Sequence, residues 1–208
     1  NQRLYELTVQ AEPPYLQGIS TQGRMVRSKD AYMLRAVVVD NGIERGLEAI
    51  LQEARRVLLH GFSEDELERE KKAMLRRIEQ AYRERDKTRS NRFADEYKRS
   101  FLTGEPIPGL EYEYGFYKSF VPEIMLEEIN ALADGWLRTG NRVIAVSAPE
   151  KDGVELPQGE DLLAIFADVA AREVEPYVES VAAHSLMEQL PELAAIVARD
   201  SIPELGMT

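Results

Sequence analysis

The chain has 208 residues and 23.6 kDa, with 44% hydrophobic and 30% charged residues, which suits one packed domain and excludes wholesale disorder. It has no cysteine, which excludes disulfides, thiolate zinc sites and cysteine nucleophiles. Residues 1–148 are close to neutral and residues 149–208 carry almost all of the formal charge of −11, so nucleic acid and anionic membrane surfaces are disfavoured partners. No apolar run is long enough to span a bilayer, and the opening residues show no secretory pattern.

The first elements read as extended. Tyr32, Leu34, Ala36 and Val38 alternate on one apolar face of a strand. Residues 15–26 hold Gly18 and Gly23, which predicts a weaker, bulged or curved strand before it. Ser28-Lys29-Asp30 makes the turn of an antiparallel pair.

A helix follows, with Ile43, Leu47, Ile50, Leu51, Ala54, Val57 and Leu58 at helical spacing and His60-Gly61 as its stop. Ser63 and Glu66 form a capping box, worth about 1 kcal/mol, with Phe62 placed to staple onto Leu67. The second long helix buries Leu67, Met74, Leu75, Ile78 and Ala81 or Tyr82. Its outer face pairs Asp65 with Arg69, Glu68 with Lys72 and Glu79 with Arg83. Residues 63–85 hold seven acids and seven bases, so the Arg69 to Arg77 cluster reads as a salt-bridged face rather than a basic patch.

A third helix carries Phe93, Tyr97 and Phe101 on one stripe and stops at Thr103-Gly104-Glu105-Pro106. Tyr112, Tyr114, Phe116, Tyr117 and Phe120 form an aromatic segment. Their spacing reads first as core, with a peptide-binding surface as the alternative. Leu126, Ile129, Leu132, Ala133 and Trp136 mark a further helix, and Arg142 to Ser147 a strand ended by Pro149. Beyond it, residues 161–174 read as an amphipathic helix, and residues 176–208 as a proline-punctuated connector or wrapping arm. The expected division is a domain over residues 1–151 and an acidic helix plus arm over 152–208.

Little in the chain announces chemistry. His60 and Glu64 are spaced as a ligand pair, but Gly61 favours a histidine complementing a helix C-terminus. His184 reads as a surface residue of the acidic arm. No H-x-x-E-H, H-E-x-x-H, G-x-S-x-G, Walker or G-x-G-x-x-G pattern occurs. From the residues alone this is an α+β domain, an antiparallel sheet packed against several helices. No residue is assigned a catalytic, cofactor-binding or metal-binding role.

The order of these motifs resembles the second domain of the pitrilysin/insulinase family of zinc peptidases, the inverzincins, in their bacterial form. The stretches that carry it are VVVDNGIERGLEAILQEARRVLLHGFSEDELEREKKAMLRRIEQ, ADEYKRSFLTGEPIPGLEYEY and LEEINALADGWLRTGNRVIAVSAPEK. Asn1 to Leu7 resembles the end of that domain's first long helix, so the resemblance implies a chain that starts inside the domain. Residues 152–208 are similar to the connector that follows it.

What the resemblance implies is a domain of the mitochondrial-processing-peptidase-like metallohydrolase fold, in a two-halved clamshell that hydrolyses peptides in an internal chamber. Zinc belongs to the parent protein and none to this chain, because the family's two histidines, ligand glutamate and general base have no counterpart here. The implied role is chamber-forming and non-catalytic. The implied partners are the remaining domains of the same polypeptide and peptide substrate, with self-association through an open sheet edge in the isolated chain. The implied compartment is the bacterial periplasm. Two alternatives stand beside this reading: a non-catalytic partner subunit of a processing-peptidase-like assembly, and an unrelated helical adaptor binding through the aromatic segment.

Overall fold

Period-two alternation builds the sheet. In the computed structural model, which describes residues 1–26, 28–137 and 140–178, β1 (Gln17–Val26) and β2 (Lys29–Val37) pair antiparallel. Gln17 lies opposite Val37 and Gly23 opposite Ala31, and the register slips between Arg24 and Val26. Tyr32, Leu34 and Ala36 are half-buried, whereas Met33, Arg35 and Val37 point to solvent, as the alternation requires. Gly18 does not make the bulge. It makes room for Tyr15, whose ring would lie 2.7 Å from a Cβ at that position.

Two helices close over the apolar face of the hairpin. Leu4 of α1 (Gln2–Thr8), Tyr15 and Ile50 of α2 (Ile43–His60) form the centre of the core, with Leu34, Ala36 and Val38 against it. Val38 occupies the space that a side chain at Gly46 would need, so the helix approaches the strand closely there. The α2 helix ends at Gly61 with φ 69°, a left-handed value that glycine adopts without strain.

The α3 helix (Glu64–Arg83) opens on the expected capping box. Glu66 N–H donates to Ser63 Oγ at 3.3 Å, and Ser63 N–H donates to Glu66 Oε2 at 2.8 Å. On its outer face Arg83 donates to Glu79 at 2.6 Å, while Glu68 takes Lys71 rather than the expected Lys72. Three helices follow: α4 (Ser90–Thr103), α5 (Leu110–Phe120), which packs on α3, and α6 (Leu126–Ala133), which touches α2. The last described element, α7 (Gly159–Ala171), packs along α2 through buried Leu162 and Val169.

Two expectations change. Residues 142–147 form no strand: a β-branched run supplies propensity, but a strand needs a hydrogen-bonded neighbour, and among the described residues the sheet holds β1 and β2 alone. Val143 is 92% exposed as a result. The aromatic segment is a helix whose Tyr112, Phe116 and Phe120 are exposed, not core. One compact unit runs from Asn1 to Pro176, with α7 packed onto α2 inside it. The arm over residues 179–208 and His184 lie outside the described residues.

Candidate functional site

A cavity of about 370 Å3 opens between α1, the hairpin, α2, α3 and the turn after α6. Its apolar wall includes Leu34, Val57, Leu67, Met74 and Ile129. Its aromatic edge is built by Trp136, whose ring stacks on Tyr32 with centroids 4.8 Å apart and planes within 4°. Trp136 Nε1 donates to Gln22 Oε1 at 2.8 Å, and Phe62 meets the indole edge-on at 6.3 Å. Asn130 of α6 fixes the loop beneath, accepting from Phe62 N–H at 2.8 Å. One aromatic cluster therefore ties the sheet, the α2–α3 loop and the α6 turn together.

Charged groups sit in the same cavity wall. Arg3 of α1 donates from Nε to Glu66 Oε1 and from Nη2 to Glu66 Oε2, both at 2.7 Å, and from Nη2 to Gly61 O at 3.0 Å. Arg3 also lies 5.2 Å from the centroid of Phe62. Burial pushes the Glu66 carboxyl up, but the Arg3 guanidinium and the Ser63 backbone N–H outweigh it and hold Glu66 below its ordinary value. Glu53 of α2 is 6% exposed; it bonds Arg56, and its Oε2 has no hydrogen-bond partner among the described residues. Burial raises its pKa above the ordinary value, against the opposing pull of Arg56 and Arg3. Burial likewise raises Tyr32, partly offset by its hydrogen bond with Ser20.

This arrangement can hold an apolar group beside a fixed ion pair. No histidine is among its described lining residues. His60 ends α2 as expected of a C-terminal histidine, with Nε2 2.6 Å from Val174 O. Among the described residues no group of three or more histidine, aspartate or glutamate side chains could hold a metal ion, so these residues do not fit a zinc site.

Sequence reasoning assigned Glu66 to the helix cap and missed its second bond, to Arg3. It also missed Glu53, although the position is legible: Glu53 shares the buried face of α2 with Ile50, Ala54 and Val57.

The fold defines an α+β unit in which helices cover one face of an antiparallel hairpin. No family model matches the sequence. The chain is homologous to a segment of "Zinc protease PQQL-like" from Arabidopsis thaliana, at 29% identity over 154 residues; the match takes in 74% of this chain and 16% of that protein. Its fold matches the periplasmic protease PqqL of Escherichia coli, with a TM-score of 0.71, 18% identity, 97% of this chain and 22% of that one. The crystal structure of the first half of PqqL gives a TM-score of 0.69 at 17% identity, over 86% of this chain and 39% of that one. The resemblance to pitrilysin-type zinc peptidases and the α+β fold class read from the sequence are both borne out. The chain spans about one sixth of the length of the curated relative it matches.

Proposed function

We propose that this chain is a non-catalytic, structural part of a larger zinc metallopeptidase, forming one wall of the chamber in which peptides are hydrolysed. The observation that carries this reading is the homology with about one sixth of a zinc protease. Zinc and the general base are supplied, in this proposal, by other residues of the longer polypeptide. His60 is already engaged with Val174 O and serves the helix end.

The remaining domains are the partner that covers the exposed aromatic faces of α4 and α5. Phe93, Tyr97 and Phe101 line α4, and Tyr112, Phe116 and Phe120 line α5, each at i, i+4, i+8 spacing. A 14-residue helix with its apolar stripe in water is marginal by itself, which argues for a covering surface. In this proposal the parent works in the periplasm; the periplasmic protease PqqL, which shares the fold, supports that reading. No described helix is long and apolar enough to cross a membrane.

In the isolated chain the outer edge of β1 is a second contact surface. Asn1 imitates a neighbouring strand there: its Nδ2 donates to Ser20 O at 3.0 Å and its Oδ1 accepts from Ser20 N–H at 2.8 Å. Gly18 and Gln22 turn their backbone groups the same way, so they present an edge that pairs with a second copy. Sedimentation of the chain against a Gln22→Pro variant tests this, and equal association in both excludes the edge.

The full-length protein tests the main proposal. Phe116→Ser with Phe120→Ser is expected to reduce peptide hydrolysis about tenfold or more without loss of zinc, since the chamber wall is displaced rather than the metal site. His60→Ala is expected to leave both zinc content and hydrolysis unchanged. The purified chain is expected to bind no stoichiometric zinc and to cleave no unstructured peptide. One-to-one zinc with zinc-dependent cleavage by this chain, both lost in His60→Ala, overturns the proposal.

A further inference from the structure

Five asparagines stand in the chain, and Asn41 alone is followed by glycine. With no side chain on the following residue, its backbone nitrogen can approach the asparagine amide closely, which makes Asn-Gly the most reactive such pair. Asn41 lies exposed at the turn between β2 and α2, with φ 60°, and Gly42 is the N-cap of α2. Both groups that react in deamidation therefore sit side by side where water reaches them.

The fold holds both groups in other bonds. Asn41 Nδ2 donates to Gly153 O at 2.9 Å, and Asn41 Oδ1 accepts from Glu155 N–H, also at 2.9 Å. Both partners are backbone groups of residues 151–155, the loop that leads towards α7. Lys151 Nζ pairs with Asp40 Oδ2 at 2.5 Å beside them. The Gly42 N–H donates to Val39 O at 3.0 Å. One side chain thus clasps a loop more than a hundred residues away in sequence onto the start of α2.

We propose that Asn41-Gly42 is a gated deamidation site, closed while the loop over residues 151–155 is clasped and open when that loop lifts. In the reaction Gly42 N attacks Asn41 Cγ: the N–Cγ bond forms, the Cγ–Nδ2 bond breaks, and the amide nitrogen leaves as ammonia with the proton from Gly42 N. Water then opens the five-membered imide at either carbonyl, giving aspartate or isoaspartate. Closing that ring turns χ1 out of its staggered well, so the amide has to leave both of its partners first. The product cannot restore the clasp. One carboxylate oxygen still accepts from Glu155 N–H, but the other meets Gly153 O, acceptor against acceptor, where Nδ2 had donated. Isoaspartate also lengthens the backbone directly before the first turn of α2. The step runs one way and loosens the approach to α7, which packs on α2.

Tryptic mapping by mass spectrometry reads the site, because residues 36–45 form one tryptic peptide with Asn41 as its sole asparagine. The whole chain is incubated at mildly alkaline pH, folded and in urea. Deamidation of Asn41 is expected to be about tenfold or more slower in the folded chain, since it waits for local opening. Glu155→Pro deletes the N–H that Oδ1 accepts and is expected to speed the folded rate about threefold or more. Gly153→Ala strains a residue held at φ 80° and so displaces the same loop; it is expected to act likewise even if Glu155→Pro fails to fold. Asn41→Asp mimics the product, and amide hydrogen exchange at Val154 and Glu155 is expected to quicken in it while exchange in β2 is unchanged. Equal rates in the folded chain and in urea, a wild-type rate in either folded loop variant, or unaltered exchange in Asn41→Asp overturns the proposal.

Discussion

Arg3 and Glu66 form a two-pronged ion pair, 2.7 Å on each branch, that joins the first helix of the chain to the first turn of α3. Both side chains are less than a tenth exposed, so neither can return to water while the fold is intact. The same carboxylate completes the capping box with Ser63, and the same guanidinium donates to Gly61 O. One contact thereby fixes α1, the α2–α3 loop and the α3 N-terminus.

Arg3→Met is therefore expected to cost about 3 kcal/mol, because it leaves the Glu66 charge buried without its partner. Adding Glu66→Gln keeps a side chain that can cap and removes the stranded charge, so the double variant is expected to recover most of that loss. Urea unfolding of the two variants checks it. A double variant no more stable than Arg3→Met would show that the guanidinium acts through packing.

The two buried glutamates pull stability in opposite directions with pH. Glu66 is held below its ordinary value of 4.5, so its contribution is complete above that pH and is lost as the pH falls through the lower folded value. Glu53 is raised above 4.5, so its cost is absent below that pH and grows as the pH rises through the folded value. Glu53→Gln is expected to raise the Tm at pH 7, with the gain fading towards pH 4. Glu66→Gln is expected to lower it at pH 7, with the loss fading below pH 4. Thermal unfolding across this range reads both slopes.

Gly46→Ala is expected to cost about 2 kcal/mol, because the new methyl group overlaps Val38 and the helix must lift from the strand. Combining it with Val38→Ala should cost less than the two single losses added together, since the smaller side chain vacates the space. Strict additivity would mean that the clash is relieved elsewhere.

The single tryptophan reports on the cavity. Trp136→Ala removes the stack on Tyr32 and the bond to Gln22 and is expected to cost about 2–3 kcal/mol; Trp136→Phe keeps the stack and is expected to cost about 1 kcal/mol. In the wild-type chain, tryptophan fluorescence should change in the same transition as the far-ultraviolet signal. An earlier fluorescence change would place the α6 turn outside the cooperative unit.

What the sequence determined by itself is local. The end of α2 at His60-Gly61 and the Ser63–Glu66 box arise from groups within four residues of each other, whose pairing depends on no distant partner. The alternation of Tyr32, Leu34 and Ala36 is of the same kind, because side-chain direction in a strand follows from the backbone alone. Tertiary structure decided the rest. Residues 142–147 have strand composition and no strand, because hydrogen bonds come from a neighbour that composition cannot supply. Phe116 and Phe120 have core composition and an exposed face, because burial depends on what packs opposite. Arg3 meets Glu66, and Tyr32 meets Trp136, only after the chain has folded back on itself. Short-range geometry is written in adjacent residues; the identity of a partner across the fold is set by packing, which every element shares in choosing.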